Sequence, residues 1–174
     1  KWKRKVWEIF KENYDNPYYG GGEKQPGCWF DFRIGDVHFV MIDGRYYRES
    51  PRSKENPSML GPAQLKWLKQ TLKQPATFKV LCTNVPMTPK VKPGSKDTWD
   101  GFAAERQKIF QYIADQKIPG LVILSADRHR SDAYKIDTGI KGMYPLYECQ
   151  SSRLTNQHVH GLIKHSLFGY NEKQ

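Results

Sequence analysis

The stretch Leu121-Val-Ile-Leu-Ser-Ala-Asp-Arg-His-Arg-Ser131 joins an apolar run directly to a carboxylate and an imidazole. A short apolar run followed by polar residues is typical of a buried strand that ends at the edge of a sheet. In open α/β sheets ligands and metals bind at this carboxyl edge. Asp127 and His129 stand two residues apart there, and their oxygen and nitrogen atoms suit a cation such as Fe, Mn or Zn. The spacing alone fits a strand-end turn with a solvated Asp and a half-buried His equally well.

Helical and strand-like patterns alternate around this stretch and predict a mixed α/β fold. Helices are predicted over residues 2–12, from Gly61-Pro62 to Leu72, and from Gly101 or Phe102 to a point before Pro119. Gly35-Asp36 predicts a two-residue hairpin between the first two strands. The predicted strands cover residues 29–34, 37–42, 78–82, 121–125, 133–136 and 144–149.

Length and composition predict one folded domain over residues 1–174. Hydrophobic residues make up 38% of the chain, which excludes a disordered tail. No apolar run approaches the roughly 20 residues that span a bilayer, so no membrane span is predicted. The net charge of +10 is compatible with phosphate-bearing partners. The basic residues are spread along the chain without a recognition-helix or aromatic-platform motif, so a solvated basic surface is favoured and nucleic-acid binding ranks last.

Neither the cysteines nor the carboxyl-terminal histidines have the spacing of a metal motif. Cys82 and Cys149 lie in strand-like runs, which predicts buried, inert thiols. His158 and His160 would point the same way on a strand, but no matching carboxylate is near them in sequence. Surface or loop positions are therefore expected for the tail histidines. Cys28 is the third cysteine of the chain, and His165 is the third histidine of the carboxyl-terminal tail.

Five separated segments, in order, resemble the carboxyl-terminal half of the alkaline phosphatase D (PhoD-like) metallophosphoesterases. The segments are Met41-Ile-Asp-Gly-Arg-Tyr-Tyr-Arg48, Met59-Leu-Gly-Pro-Ala-Gln-Leu-Lys-Trp67, Asp97-Thr-Trp-Asp-Gly-Phe102, Leu124-Ser-Ala-Asp-Arg-His129 and Tyr147-Glu-Cys-Gln-Ser-Ser-Arg-Leu-Thr155. The resemblance implies part of a four-layer α/β/β/α sandwich with a dinuclear metal centre between its two sheets. It also implies hydrolysis of phosphate mono- or diesters, with paired Fe, Ca, Mn or Zn ions that activate water.

The resemblance assigns Asp127 and His129 to catalysis and metal binding, because they match the Gly-Asp-x-His segment of the family. His129 is the first choice as a ligand, and Asp127 is either a ligand or the carboxylate that orients one. The family glycine is Ala126 here. The added methyl group is compatible with this role unless the backbone needs a positive φ.

The same resemblance makes Arg45 and Arg48 candidates for bidentate phosphate binding. The alternative is an ion pair with Asp43 that ties the loop to the sheet. Asn84 follows the strand 78–82 and is either a weak ligand or phosphate donor, or a turn-capping residue.

Trp99 and Asp100 are the remaining candidates for substrate binding. Together with Asp97 they precede the predicted helix, so an aromatic ring and a carboxylate at the cleft could shape the substrate site. Asp100 is also placed to cap the helix amino terminus, and capping alone would explain it.

The family draws most of its metal ligands from an amino-terminal half whose motifs do not occur in this sequence. The chain also begins with Lys1 rather than Met. We therefore expect a fragment or one chain of a nicked enzyme, with the missing half as its partner and a phosphate ester as the substrate. Alone, it is expected to be inactive and to expose an apolar sheet face. The alternative is a non-catalytic phosphate- or partner-binding module on the same scaffold. By analogy, the location is periplasmic or secreted.

Overall fold

The computed structural model describes residues 2–152 together with the backbone of residues 164–167 and 170–173. In this part of the chain the helices are α1 (Trp2–Asn13), α2 (Gly61–Leu72) and α3 (Ala103–Asp115), with 3-10 turns at Gly22–Lys24 and Trp99–Phe102. The strands are β1 (Phe30–Ile34), β2 (Val37–Met41), β3 (Phe78–Cys82), β4 (Leu121–Ser125), β5 (Ser131–Ile136), β6 (Leu146–Ser151), β7 (Lys164–Leu167) and β8 (Tyr170–Lys173). The predicted mixed α/β fold is confirmed.

Six of these strands form one mixed sheet in the order β1-β2-β3-β4-β6-β5. The four inner strands run parallel to one another, and β1 and β5 pair antiparallel at the two edges. The predicted hairpin joins β1 to β2, with Ile34 opposite Val37. Because β2, β3, β4 and β6 are parallel, their carboxyl ends meet at one edge of the sheet, where the candidate site residues follow them.

One face of the sheet forms the core with α2 and α3. Val40, Leu81 and Ile123 come from neighbouring strands and are fully buried with Leu68 of α2 and Ile109 of α3. Alternate residues point to opposite faces of a strand, so every second residue of β2, β3 and β4 enters this core. Burial of such side chains stabilises the fold by about 1.5–3 kcal/mol each.

The opposite face of the sheet is apolar but remains open to solvent. Phe78 and Ile34 are 54% and 64% exposed, and Leu124 and Tyr147 are 38% and 39% exposed. Phe32 and Phe39 stack on this face, with ring centroids 4.8 Å apart. The expectation that this chain exposes an apolar sheet face is confirmed.

Two of the cysteines lie on this open face, which corrects the prediction of buried thiols. Cys149 is exposed on β6 and Cys82 is half-buried on β3, because both alternate away from the helices. Burial nevertheless raises the pKa of Cys82 to about 11. Burial, followed by the Asp43 carboxylate, raises the pKa of Cys28 to about 12. The thiols of Cys82 and Cys28 are therefore protonated at neutral pH and are poor nucleophiles.

The predicted first helix forms, but its apolar stripe faces outward. Trp2, Val6 and Ile9 are more than half exposed, whereas Trp7 is buried and its indole N–H donates to the Gly27 carbonyl at 2.8 Å. The helical spacing correctly predicted the helix. It could not identify which side of α1 packs against the rest of the chain.

Several details of the secondary structure differ from the prediction, and β5 and β6 extend to Ser131 and Ser151, two residues beyond their predicted limits. The last strand of the main sheet starts at Leu146 rather than at residue 144, because Pro145 has no N–H to donate to a ladder. A 3-10 turn, Trp99–Phe102, precedes α3 where an α-helix start was expected. The strands β7 and β8 pair as a hairpin that the sequence did not predict, since four-residue strands are too short to show a pattern.

Within the described residues, no helix combines the length and the apolar character that crossing a bilayer requires.

Candidate active site at the carboxyl edge of the sheet

The segments that follow β2 and β3 are joined by a side-chain hydrogen bond at the carboxyl edge. The Gly44 N–H donates to Asn84 Oδ1 at 2.7 Å. A Cβ at Gly44 would lie 2.9 Å from this same oxygen and 3.2 Å from the Met59 sulfur, so no larger side chain fits without displacing them. Asn84 therefore fixes the spacing between two strand ends, and its side chain remains exposed at the edge.

Asp43 is buried in the turn after β2 and, within the described part of the chain, pairs with no arginine. Its Oδ1 accepts from the backbone N–H groups of Arg45 and Tyr46 at 2.8 and 3.0 Å, and its Oδ2 accepts from the Cys28 N–H at 2.9 Å. The predicted Asp43–Arg ion pair is wrong, because the carboxylate is already occupied by backbone donors. This arrangement is a local Asx turn, which fixes the backbone conformation of the residues that follow β2.

Gln64 is a positioning residue that the sequence analysis missed. Its Oε1 accepts from the Asp43 N–H at 2.7 Å, and its Nε2 donates to the Asp43 carbonyl at 2.8 Å. Gln64 is fully buried on α2. A glutamine on the apolar side of a helix, next to Leu65 and Leu68, was the signal that could have revealed it, since buried polar groups need partners.

Arg45 and Arg48 converge on a carboxylate from another loop, Asp97. Arg48 Nη2 and Arg45 Nη1 lie 2.7 and 3.3 Å from Asp97 Oδ1. Burial opposes ionisation of Asp97, but the Arg48 and Arg45 charges outweigh it and hold its pKa below the ordinary value. The Arg48 guanidinium also lies 4.9 Å from the centre of the Phe102 ring.

Arg48 retains an unused donor. Its side chain is only 13% exposed, and its buried Nη1 has no hydrogen-bond partner among the described residues. Beside it lies a cavity of about 860 Å³, which Arg52 and Lys96 also line. A buried guanidinium nitrogen without an acceptor is costly. An anionic group in this cavity would lie beside the Arg48 side chain.

Asp127 and His129 lie on the β4–β5 connection in a left-handed backbone conformation. Their φ angles are 80° and 55°, which non-glycine residues adopt at a cost of about 1–3 kcal/mol. The His129 N–H donates to Ser152 Oγ at 2.9 Å. Asp127 is half-buried and His129 is exposed. Ala126 is not among the positive-φ residues, so its methyl group is compatible with this turn.

A buried polar cluster lies under this connection, and the sequence did not predict it. Asp132 Oδ2 accepts from Arg130 Nε at 2.5 Å and from Gln150 Nε2 at 3.2 Å. Arg130 also donates to Tyr134 Oη at 3.1 Å. Ser125 Oγ, Asp132 Oδ1 and Gln150 Oε1 are buried without partners. The cluster is anchored on three neighbouring strands, β4, β6 and β5, and it supports the turn that carries Asp127 and His129.

Trp99 belongs to the core. It is fully buried, and its Nε1 donates to Thr83 Oγ1 at 3.0 Å. Packing therefore accounts for Trp99, and its ring is too deeply buried to contact a substrate.

The predicted capping role of Asp100 is wrong. Thr98 caps the 3-10 turn and accepts from the Asp100 N–H. The Asp100 carboxylate instead accepts from Arg106 Nη1 at 2.8 Å and from the Lys90 N–H at 2.9 Å. Because both of its oxygens are occupied by these donors, Asp100 joins the loop before α3 to the helix.

The described residues supply only part of a metal site. Within residues 2–152, no group of three His, Cys, Asp or Glu side chains could hold a metal ion. Asp127 and His129 have suitable donor atoms, but two ligands from one turn do not complete a coordination shell. His158 and His160 lie outside the described residues, and His165 is described only through its backbone.

The model of the PhoD-like phosphatase family matches residues 14–165. This chain belongs to the PhoD-like phosphatase family. It is 29% identical over 120 residues to alkaline phosphatase D of Bacillus subtilis (strain 168), a match that covers 58% of this chain and 21% of that protein. The family resemblance drawn from the five sequence segments is therefore confirmed, and the family is one of phosphate-ester hydrolases.

The fold is also similar to the solved structure of PhoD. The TM-score is 0.69 with 21% sequence identity, and the match covers 86% of this chain and 33% of the PhoD chain. At this identity the match is evidence for the α/β fold alone. The chain thus spans about a fifth of the length of the curated PhoD-like relative and a third of the PhoD structure.

Proposed function

We propose that this chain forms the carboxyl-terminal part of a metal-dependent phosphatase or phosphodiesterase whose active site lies at the carboxyl edge of the sheet. The observation that carries the proposal is the common location of three segments of this PhoD-like chain. The segments after β2, β3 and β4 bring Arg45 and Arg48, Asn84, and the Asp127–His129 pair to one edge. Basic groups that bind phosphate and donors that bind a metal are the two requirements of such a site.

In this proposal Asp127 and His129 hold one corner of the metal centre. The metal ions supply Lewis acidity and an activated water when bound. The left-handed turn and the bond from the His129 N–H to Ser152 fix the His129 backbone at the strand end, which reduces the cost of placing a ligand there. Fe, Ca, Mn and Zn are the ions proposed for the Asp127 carboxylate and the His129 imidazole.

The two arginines bind the phosphate group of the substrate. Arg48 is largely buried and held by Asp97, so it is the stronger anchor, and the exposed Arg45 is the second phosphate contact. The Asp97 carboxylate lies between the guanidiniums in the position of an anionic ligand. A substrate phosphate therefore competes with Asp97 for the arginines.

The remaining metal ligands are proposed to come from the parts of the PhoD-like relatives that this chain does not match. The open apolar face, with Phe39 and Leu124, is suited to pack against a second sheet, and so to the four-layer sandwich that the family resemblance implies. The exposed stripe of α1 is a further surface that a larger domain would cover. A periplasmic or secreted location remains a prediction from the resemblance.

The product of the complete reading frame is expected to hydrolyse bis-p-nitrophenyl phosphate or p-nitrophenyl phosphate. Prolonged dialysis against EDTA is expected to abolish turnover, because the ions supply the nucleophile, and added Fe, Ca, Mn or Zn is expected to restore it. Release of p-nitrophenol measures both effects. Full activity in a chelated sample whose metal content is zero would contradict the proposal.

The second candidate is a phosphate- or partner-binding protein without catalysis. It is favoured by one observation, the lack of a three-ligand metal group within residues 2–152. It predicts that the complete product binds inorganic phosphate through Arg48 but shows no turnover with any added metal. Phosphate titration beside the hydrolysis assay separates the two functions.

A further inference from the structure

A second cluster of basic residues lies at the amino edge of the sheet, far from the candidate active site. It lines a cavity of about 640 Å³ between the turn before β2, the end of α2 and the start of β4. Strand β3 separates the two edges by roughly 15 Å. Arg33, Lys73 and Lys79 line the cavity, and Asp36 is the one carboxylate in its lining.

Lys79 is a buried cation without a matching anion. It is only 2% exposed and sits on the helix-covered face of β3. Its Nζ donates to the Ala76 carbonyl at 3.3 Å, and among the described residues no carboxylate lies within ion-pair distance of it. Lysines are rarely buried to this extent unless they are paired. Burial, and then repulsion from Arg33, lower the pKa of Lys79.

Arg33 is likewise held by neutral acceptors. Its Nη1 donates to the Pro75 carbonyl at 2.9 Å, and its Nη2 donates to Gln74 Oε1 at 3.2 Å. Nη2 also lies 3.4 Å from Nδ1 of the buried His38. These contacts fix the guanidinium at the cavity wall, and among the residues that the structure describes no carboxylate lies within ion-pair distance of it. Two fixed like charges facing one cavity repel each other until an anion lies between them.

We propose that this cavity binds a small oxyanion, of the phosphate or sulfate type, through Lys79, Arg33 and Lys73. The oxygens of the ligand accept from the unused donors of the Lys79 ammonium and from the two other basic groups. The volume exceeds that of inorganic phosphate, so a phosphorylated small molecule also fits. This site is independent of the proposed hydrolysis, because none of its residues lies at the carboxyl edge.

The test is an NMR titration of the ¹⁵N-labelled chain with inorganic phosphate and, separately, with ribose 5-phosphate. We expect saturable shifts at the backbone amides of Ala76 and Thr77, which line the cavity. Tighter binding of the ester assigns the site to phosphorylated small molecules, and equal affinity assigns it to the free ion. Shifts confined to residues such as Ser95 and Lys96, near Arg48, would overturn the proposal.

Lys79→Met supplies the decisive variant, because it keeps the shape of the side chain and removes the charge. The affinity at Ala76 and Thr77 is expected to fall at least about tenfold, while the thermal midpoint stays equal or rises. Lys108→Met, an exposed lysine of α3, is the matched control and should bind as the parent does. Arg48→Gln should leave the shifts at Ala76 unchanged. Undiminished binding by a folded Lys79→Met protein would refute the site.

Discussion

Replacing His129 with alanine is expected to lower phosphate-ester hydrolysis by more than about 100-fold in the complete product. Loss of residues that merely support a metal ligand costs about 10–100-fold, so loss of a ligand should cost more. His129 is exposed but holds a left-handed φ of 55°, which alanine tolerates less well, so the free energy of unfolding is expected to fall by up to about 1 kcal/mol. The measurements are kcat/KM for bis-p-nitrophenyl phosphate, metal content, and urea denaturation of each variant.

Two variants make this result specific. His160→Ala removes a histidine that the sequence analysis assigns to the surface, and its activity should equal that of the parent. Ser152→Ala removes the acceptor of the His129 N–H bond and should cause a smaller loss, since the turn loosens while the ligand remains. A folded His129→Ala protein with more than half of the parent activity and full metal content would exclude His129 as a ligand.

Trp99→Ala is expected to destabilise the chain by about 3–5 kcal/mol, which is a large part of the stability of a domain of this size. The indole ring is fully buried in the core, so its removal leaves a cavity there. The Thr83 hydroxyl loses the bond from the indole N–H but still donates to the Val85 carbonyl at 3.2 Å. Urea denaturation followed by far-UV circular dichroism measures the loss.

The variant Trp99→Phe separates packing from substrate contact. It retains most of the apolar volume and loses the hydrogen bond to Thr83, so a smaller cost of about 0.5–1.5 kcal/mol is expected. In the complete product KM should not change, because Trp99 is buried in the core. A KM raised several-fold in Trp99→Phe, with stability near that of the parent, would return this side chain to the substrate site.

The position of the candidate site could be predicted because it depends on local pattern. The apolar run Leu121–Leu124 identifies a buried strand, and a strand in a parallel sheet must deliver its following residues, Asp127 and His129, to the carboxyl edge. The role of these residues could not be obtained in the same way, since an Asp-x-His pair is common. The family resemblance supplied that role, and the family model confirms the membership on which it rests.

The contacts that organise the site could not be predicted, because they join residues distant in sequence. Asp97 pairs with Arg45 and Arg48, about 50 residues earlier in the chain, and displaces the local pairing expected with Asp43. The cluster around Asp132 is formed by neighbouring strands and is visible only once their order is known.

The open face of the sheet could be predicted only in part, because local pattern does not show what packs against a strand. Strand geometry places alternate residues of β3 and β4 on opposite faces, and Val80 and Leu124 lie on the face that the helices leave open. Sequence pattern does not determine what covers such a face. The proposal of a second sheet therefore depends on the family, whose curated relative is about five times as long as the matched region.

We propose that these 174 residues contribute to a phosphoesterase site without completing it. The most direct test is turnover of bis-p-nitrophenyl phosphate by the purified chain alone, supplied in turn with Fe, Ca, Mn and Zn. We predict no p-nitrophenol release above that of the metal ions alone, because Asp127 and His129 offer only two ligands. Metal-dependent turnover by the isolated chain, abolished by His129→Ala, would contradict this claim and place a complete catalytic site within the chain.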